Sequence, residues 1–236
     1  MSKQEAPPAR DATPPEPVEL ATTRGQVQCL YHRGLPGAGA VLMVGGTDGG
    51  FDGPAERIYA TLAEDLSRQG IGALRLSFRI LTAPGPMGEG TFDVLAGTEF
   101  LRREEVGPIA LIGHSYGGAV VIEAAVRSPA VSAVVTLSTQ TAGAQRAGLV
   151  APRPLLLVHG AEDNRLPPYC SRQVYARAGE PKELVILEGA KHSLRQRRQD
   201  LRALLLEWLR KRLAAAGGSQ EPEATARRRP KRTPKA

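Results

Sequence analysis

The sequence predicts an α/β domain: a mostly parallel, eight-stranded sheet with helices on both faces. Three observations carry that reading. Short apolar runs alternate with longer stretches whose apolar residues recur at helical spacing, the order that builds a parallel sheet buried on both sides. One run, Pro108-Ile109-Ala110-Leu111-Ile112, enters the glycine-rich turn Gly113-His114-Ser115-Tyr116-Gly117-Gly118 and continues straight into a helix-forming stretch. The 236 residues, 42% hydrophobic and 23% charged, suit one globular domain with a sizeable core.

Taken in order, Val18 to Thr23 and Gln26 to Arg33 form a hairpin turning at Arg24-Gly25. Ala40 to Val44 is a short, fully apolar strand. Pro54 opens a helix as its first residue, with Ile58, Leu62 and Leu66 on one face and Gly70 at its end. Ile71 to Phe78 is a strand and Thr91 to Arg103 a helix. The strand from Ile109 and the helix behind Ser115 follow, and Val131 to Ser138 and Leu155 to His159 are further strands. A helix near Tyr169 to Ala178, a strand at Glu183 to Leu187 and a long helix over Leu194 to Leu213 complete the domain. It occupies residues 18–213, between a Pro-rich N-terminus (1–17) and a basic C-terminal segment (214–236), both read as disordered.

The composition excludes several classes of function. No apolar run is long enough for a membrane span, and the N-terminus lacks the apolar core of a secretory signal peptide. Two cysteines, Cys29 and Cys170, make no disulfide framework and suit a reducing compartment, so a cytoplasmic location is expected. The net charge of +7 is uneven, because Arg227, Arg228, Arg229, Lys231, Arg232 and Lys235 face only Glu221 and Glu223 in the tail. With no aromatic residue, that tail offers no base-stacking platform and reads as a solvated segment rather than a nucleic-acid site. Gly-x-Gly-x-x-Gly and Gly-x-x-x-x-Gly-Lys spacings are absent, and the four histidines are scattered. We therefore expect no nucleotide cofactor and no metal.

Chemistry concentrates in three motifs. Gly113-His114-Ser115-Tyr116-Gly117 is a nucleophile elbow, in which a strand delivers a serine onto a strained turn and the glycines leave room for crossing backbones. A serine hydroxyl needs a base, and the base needs an orienting group. His159-Gly160-Ala161-Glu162-Asp163 places Asp163 in the loop after a buried strand, with Glu162 as the alternative acid. Gly189-Ala190-Lys191-His192 puts His192 just past the last strand. Of the other histidines, His159 is read as structural, His114 as pointing away into supporting packing, and His32 as a surface residue. Cys170 is read as an ordinary helix cysteine.

The three motifs, in the order Ser115, Asp163, His192, resemble those of α/β-hydrolase-fold proteins of the compact, dienelactone-hydrolase-like or acyl-esterase kind. The resemblance covers about Val18 to Leu213. It implies that Ser115 is the nucleophile, His192 the general base and then acid, and Asp163 the group that orients the imidazole. One departure is that dienelactone hydrolase is described with a cysteine nucleophile where this chain has Ser115. The oxyanion hole falls to the backbone N–H groups of Tyr116 and of Thr47 in the loop Gly45-Gly46-Thr47-Asp48-Gly49-Gly50. Arg79 and Arg165, each beyond a strand at the same sheet edge, are candidates to hold an anionic substrate, with Asp48 or Asp52 as alternative partners for Arg79. The segment between Ser138 and Leu155 is too short for a cap domain, which leaves the site open. A small-molecule acyl ester or thioester is the expected partner. The motifs are also similar to those of prolyl-oligopeptidase-like peptidases, and a non-catalytic binding protein on this fold is the remaining alternative.

Overall fold

The computed structural model describes residues 10–80 and 87–217; the sequence readings for 1–9 and for the tail beyond 217 lie outside them. A hairpin of β1 (Glu16–Thr22) and β2 (Gly25–His32) leads into β3 (Ala40–Val44), α1 (Pro54–Arg68) and β4 (Gly72–Ser77). Then come α2 (Met87–Arg103), β5 (Ile109–His114), α3 (Tyr116–Arg127) and β6 (Val131–Leu137). The remainder is β7 (Leu155–Gly160), α4 (Tyr169–Arg177), β8 (Lys182–Leu187) and α5 (Arg198–Gly217).

The eight strands form one sheet in the order β1-β2-β4-β3-β5-β6-β7-β8. β2 pairs antiparallel with both β1 and β4, and every later pairing is parallel. Strand residues alternate between two apolar layers. Leu42 and Leu111 face the side of Val94, Leu101 and Val120 on α2 and α3, while Val41, Met43 and Ile112 face Ile58, Leu62, Leu205 and Leu209 on α1 and α5. All five residues of β3 are therefore buried, which is why it reads as an unbroken apolar run.

The topology chooses where a ligand can sit. From β3 the chain crosses through α1 to β4 on one side; from β5 it crosses through α3 to β6 on the other. Loops after β3 and β5 diverge, and a crevice opens at the carboxyl ends of those two strands. Among the described residues no cap covers it: residues 138–154 hold one 3-10 turn, Ala147–Val150. Among the described residues no helix is long and apolar enough to cross a membrane.

Several boundaries differ from the sequence reading. β1 begins at Glu16, and Thr13 already packs on the domain, its N–H donating to Ser67 Oγ at 3.2 Å. That segment covers His32, which is buried rather than on the surface, and whose Nδ1–H donates to the Thr13 carbonyl at 2.6 Å. Pro54 does not open a regular helix, because Ala55, Glu56 and Arg57 have φ of 50°, 53° and 68° and form a left-handed turn. α2 starts four residues before Thr91, and the last helix is a short 3-10 turn, Arg195–Arg197, followed by α5 to Gly217.

Beyond α2 the exposed Glu105 sits at φ 52°, its N–H donating to Arg102 O at 3.2 Å. A side chain in this conformation costs about 1 kcal/mol that glycine avoids. Glu105→Gly is expected to raise the melting temperature by about 2–4 °C, as read by thermal unfolding.

Candidate active site

The end of β5 and the start of α3 are forced into contact with β3. A Cβ on Gly113 would collide with Gly117 O, and one on Gly117 with Gly45 O. The turn between them is correspondingly tight, and Ser115 takes φ 55°, ψ −118°, a conformation that L-residues avoid. It is pinned by its N–H, which donates to Leu137 O at 2.8 Å, and by its carbonyl, which accepts from Gly118 N–H at 3.0 Å. The hydroxyl is thereby held over the crevice between β3 and β5.

Two other strand ends converge on it. His192, five residues past β8, brings Nε2 to 3.1 Å from Ser115 Oγ, and its Nδ1 lies 2.7 Å from Asp163 Oδ2. A carboxylate only accepts, so Nδ1 carries the proton and Nε2 is left to accept the serine hydroxyl. The acid beside His192 is thus Asp163, while Glu162 is exposed. Asp163 Oδ1 accepts the Arg165 and Leu166 N–H groups at 3.0 and 2.9 Å. Burial opposes its charge, but the bonds from Leu166, His192 and Arg165 outweigh that and hold the carboxyl below the usual range.

A cavity of about 240 Å³ opens beside the serine, lined by Thr47, Asp48, His114, Ser115, Arg165 and His192 among others. His114 does not point away into packing. Its Nε2–H donates to the His192 carbonyl at 3.1 Å, and the two rings are 5.0 Å apart. Burial, and secondarily the nearby His192, push its pKa down to about 4, so the ring is neutral at neutral pH. Among the described residues no cluster of three or more His, Cys, Asp or Glu could hold a metal.

Comparison with known proteins bears on this arrangement. No family model matches the sequence. An uncharacterized protein of Pseudomonas aeruginosa is 49% identical over 43 residues, which are 18% of this chain and 11% of that protein's length. Solved structures match much more broadly. A dienelactone hydrolase from Anabaena variabilis superposes with a TM-score of 0.75 at 19% identity, covering 85% of this chain and 99% of that one. The esterase domain of a Rhodothermus marinus protein gives 0.68 at 21% identity, covering 84% and 99%. A serine hydrolase without a lid from Xanthomonas campestris gives 0.67 at 17%, covering 84% and 95%. The chain has the α/β-hydrolase fold.

Within this α/β-hydrolase fold the two arginines separate. Arg165 is exposed, lines the cavity at Ser115, and forms no side-chain ion pair with the described residues. Arg79 is instead built into the scaffold. Its Nε lies 2.5 Å from Asp93 Oδ1 and its backbone N–H donates to Asp93 Oδ2 at 2.9 Å. Nη2 donates to Glu89 Oε2 at 2.8 Å and Nη1 to the Arg24 carbonyl. Asp48 is not its partner, and Asp52 pairs with Arg57 and Arg75 instead. Arg79 lines a separate, larger cavity of about 430 Å³ near the β1–β2 turn, which contains neither Ser115 nor His192. Thr47 lines the Ser115 cavity, and Tyr116 opens α3 with its ring edge-on to Phe78. The left-handed turn at 55–57 carries no signal in the sequence; its Ala55 N–H donates to Ser193 O at 2.8 Å and braces the histidine loop.

Arg79→Met would strand a nearly fully buried Asp93 carboxylate. It is expected to cost about 3 kcal/mol of stability, seen as a lowered urea midpoint, and to affect neutral and anionic substrates alike. A second expectation concerns pH. Folding keeps His114 neutral, so the unfolded chain takes up the proton first, and stability is lost as pH falls from about 6.5 toward about 4. His32 and His159 are buried and shifted in the same direction, so they add to the loss. His114→Gln, which keeps a donor for the His192 carbonyl, should flatten part of this dependence in urea titrations at pH 7 and pH 4.5.

Proposed function

We propose that the protein is a serine hydrolase that cleaves carboxylic esters or thioesters through an acyl-enzyme. The observation that carries the reading is the unbroken contact chain Ser115 Oγ, His192 Nε2, His192 Nδ1 and Asp163 Oδ2, at 3.1 and 2.7 Å. In this reading His192 takes the hydroxyl proton as Ser115 Oγ attacks the acyl carbon. The tetrahedral oxyanion collapses, and the alcohol or thiol leaves with the proton that His192 returns. Water, deprotonated by His192 in turn, then attacks the acyl-enzyme and regenerates the serine.

The local charges favour that sequence. Asp163 is anionic at neutral pH and faces the imidazolium as it forms, while neutral His114 adds no opposing charge. The N–H groups of Thr47 and Tyr116 are the proposed oxyanion donors, and one such donor contributes about 2.7–4 kcal/mol. An uncapped crevice admits small or extended acyl groups. Arg165, the exposed cation on the cavity rim, is the residue proposed to favour a substrate carboxylate.

Ser115→Ala is expected to lower turnover of short p-nitrophenyl esters by on the order of a million-fold without changing the far-ultraviolet circular dichroism. Undiminished turnover in a purified preparation contradicts the assignment. Arg165→Met should reduce kcat/KM about five- to tenfold for an ester bearing a free carboxylate and leave its neutral analogue unchanged. Equal losses would remove Arg165 from substrate recognition.

A further inference from the structure

The contact chain through Ser115 leaves His159 without a role, and this histidine is fully buried. It is the penultimate residue of β7, four residues before Asp163. Its Nδ1 lies 2.6 Å from Ser171 Oγ on α4, and its Nε2 lies 2.8 Å from Leu166 O and 3.1 Å from Asp163 Oδ2. Both oxygens facing Nε2 accept only, so Nε2 carries the ring proton and Nδ1 accepts the Ser171 hydroxyl. The same Leu166 returns its N–H to Asp163 Oδ1. We propose that His159 is a positioning residue for the acid: from behind the site it ties the loop of Asp163 to β7 and α4 and shares the Oδ2 oxygen with His192. This rests on the proposed roles of Ser115, Asp163 and His192.

The physical case is one of geometry and neutrality. Asp163 accepts the Arg165 and Leu166 N–H groups on Oδ1 and that of His192 on Oδ2, and His159 Nε2 stands 3.1 Å from Oδ2, so both oxygens are held in place. Burial keeps His159 neutral, although Leu166 O and Asp163 pull the other way. A neutral ring steadies Oδ2 without neutralising the carboxylate, whose full charge stays available to His192. The groups that face His192 are Asp163, Ser115, His114 and the cavity residues Arg165 and Asp48. Of the acids and bases around Asp163, His159 is the one that touches the acid and not the serine.

Two variants of the full chain separate positioning from space-filling. The amide nitrogen of glutamine reaches the place of Nε2, and that of asparagine only the place of Nδ1. His159→Asn is expected to lower kcat for a short ester about tenfold at nearly constant KM, and to shift the downfield proton signal of the His192–Asp163 hydrogen bond. His159→Gln should stay within about threefold of wild type with that signal in place. Equal losses in both variants with the signal unmoved would overturn the proposal, as would full activity in His159→Asn. The unmodified protein gives an independent check by ¹⁵N NMR: a proton on Nε2 of His159 is required, and one on Nδ1 overturns the assignment. A wild type that cleaves no ester would fault the proposed function, while the tautomer and the proton signal would still test His159.

Discussion

Everything at the crevice depends on the backbone contact among β3, β5 and α3. Gly113 packs on the Gly117 carbonyl and Gly117 on the Gly45 carbonyl, and neither Gly113 nor Gly117 has room for a side chain. That closeness allows strand and helix to join through a single residue and forces this residue, Ser115, to positive φ. Such a conformation persists only where the surroundings over-determine it. Here the determinants are the Leu137 carbonyl, the first turn of α3 and the apolar layers on either face of β5. The strain at one residue is balanced by burial spread over the whole sheet, so the position of the hydroxyl is a property of the fold and not of a loop.

From that fixed point the electrostatics follow a division of labour among histidines of identical intrinsic chemistry. His192 sits at the cavity with a carboxylate on one nitrogen and a hydroxyl at the other. His114 is held neutral by burial and spends its proton on the His192 backbone. His159 is buried behind the acid, and His32 clasps the N-terminal segment at the far side of the sheet. Environment decides each role: desolvation lowers the affinity for a proton, and the nearest acceptor selects the tautomer. The arginines divide in the same way, with Arg79 neutralised inside the scaffold and Arg165 left at the rim.

The parts of this arrangement that were legible in the sequence are those encoded locally. Apolar runs marked the strands, and the strand-turn-helix signature marked Ser115. The order of Asp163 and His192 after their strands marked the other two groups. Arg79 was misplaced because its partners Asp93 and Glu89 lie on α2, and only the packing of that helix against β4 brings them together. His32 was misread for a similar reason: the chain at Thr13, which reads as polar and irregular, folds back over it. His114 follows the strict alternation of β5, but the His192 loop that receives its N–H arrives from 78 residues away. The left-handed turn at 55–57 has no marker, since Ala, Glu and Arg are ordinary helix formers and the bond to Ser193 selects the conformation.

The central claim is that this fold makes Ser115 a nucleophile through His192. The most direct measurement is intact-protein and peptide mass spectrometry after treatment with a fluorophosphonate, which reacts with activated serines. One adduct, on the peptide that contains Ser115, lost in His192→Gln and preserved when the tail beyond 217 is removed, is the predicted result. No adduct on correctly folded protein, or an adduct at another residue, would contradict the account.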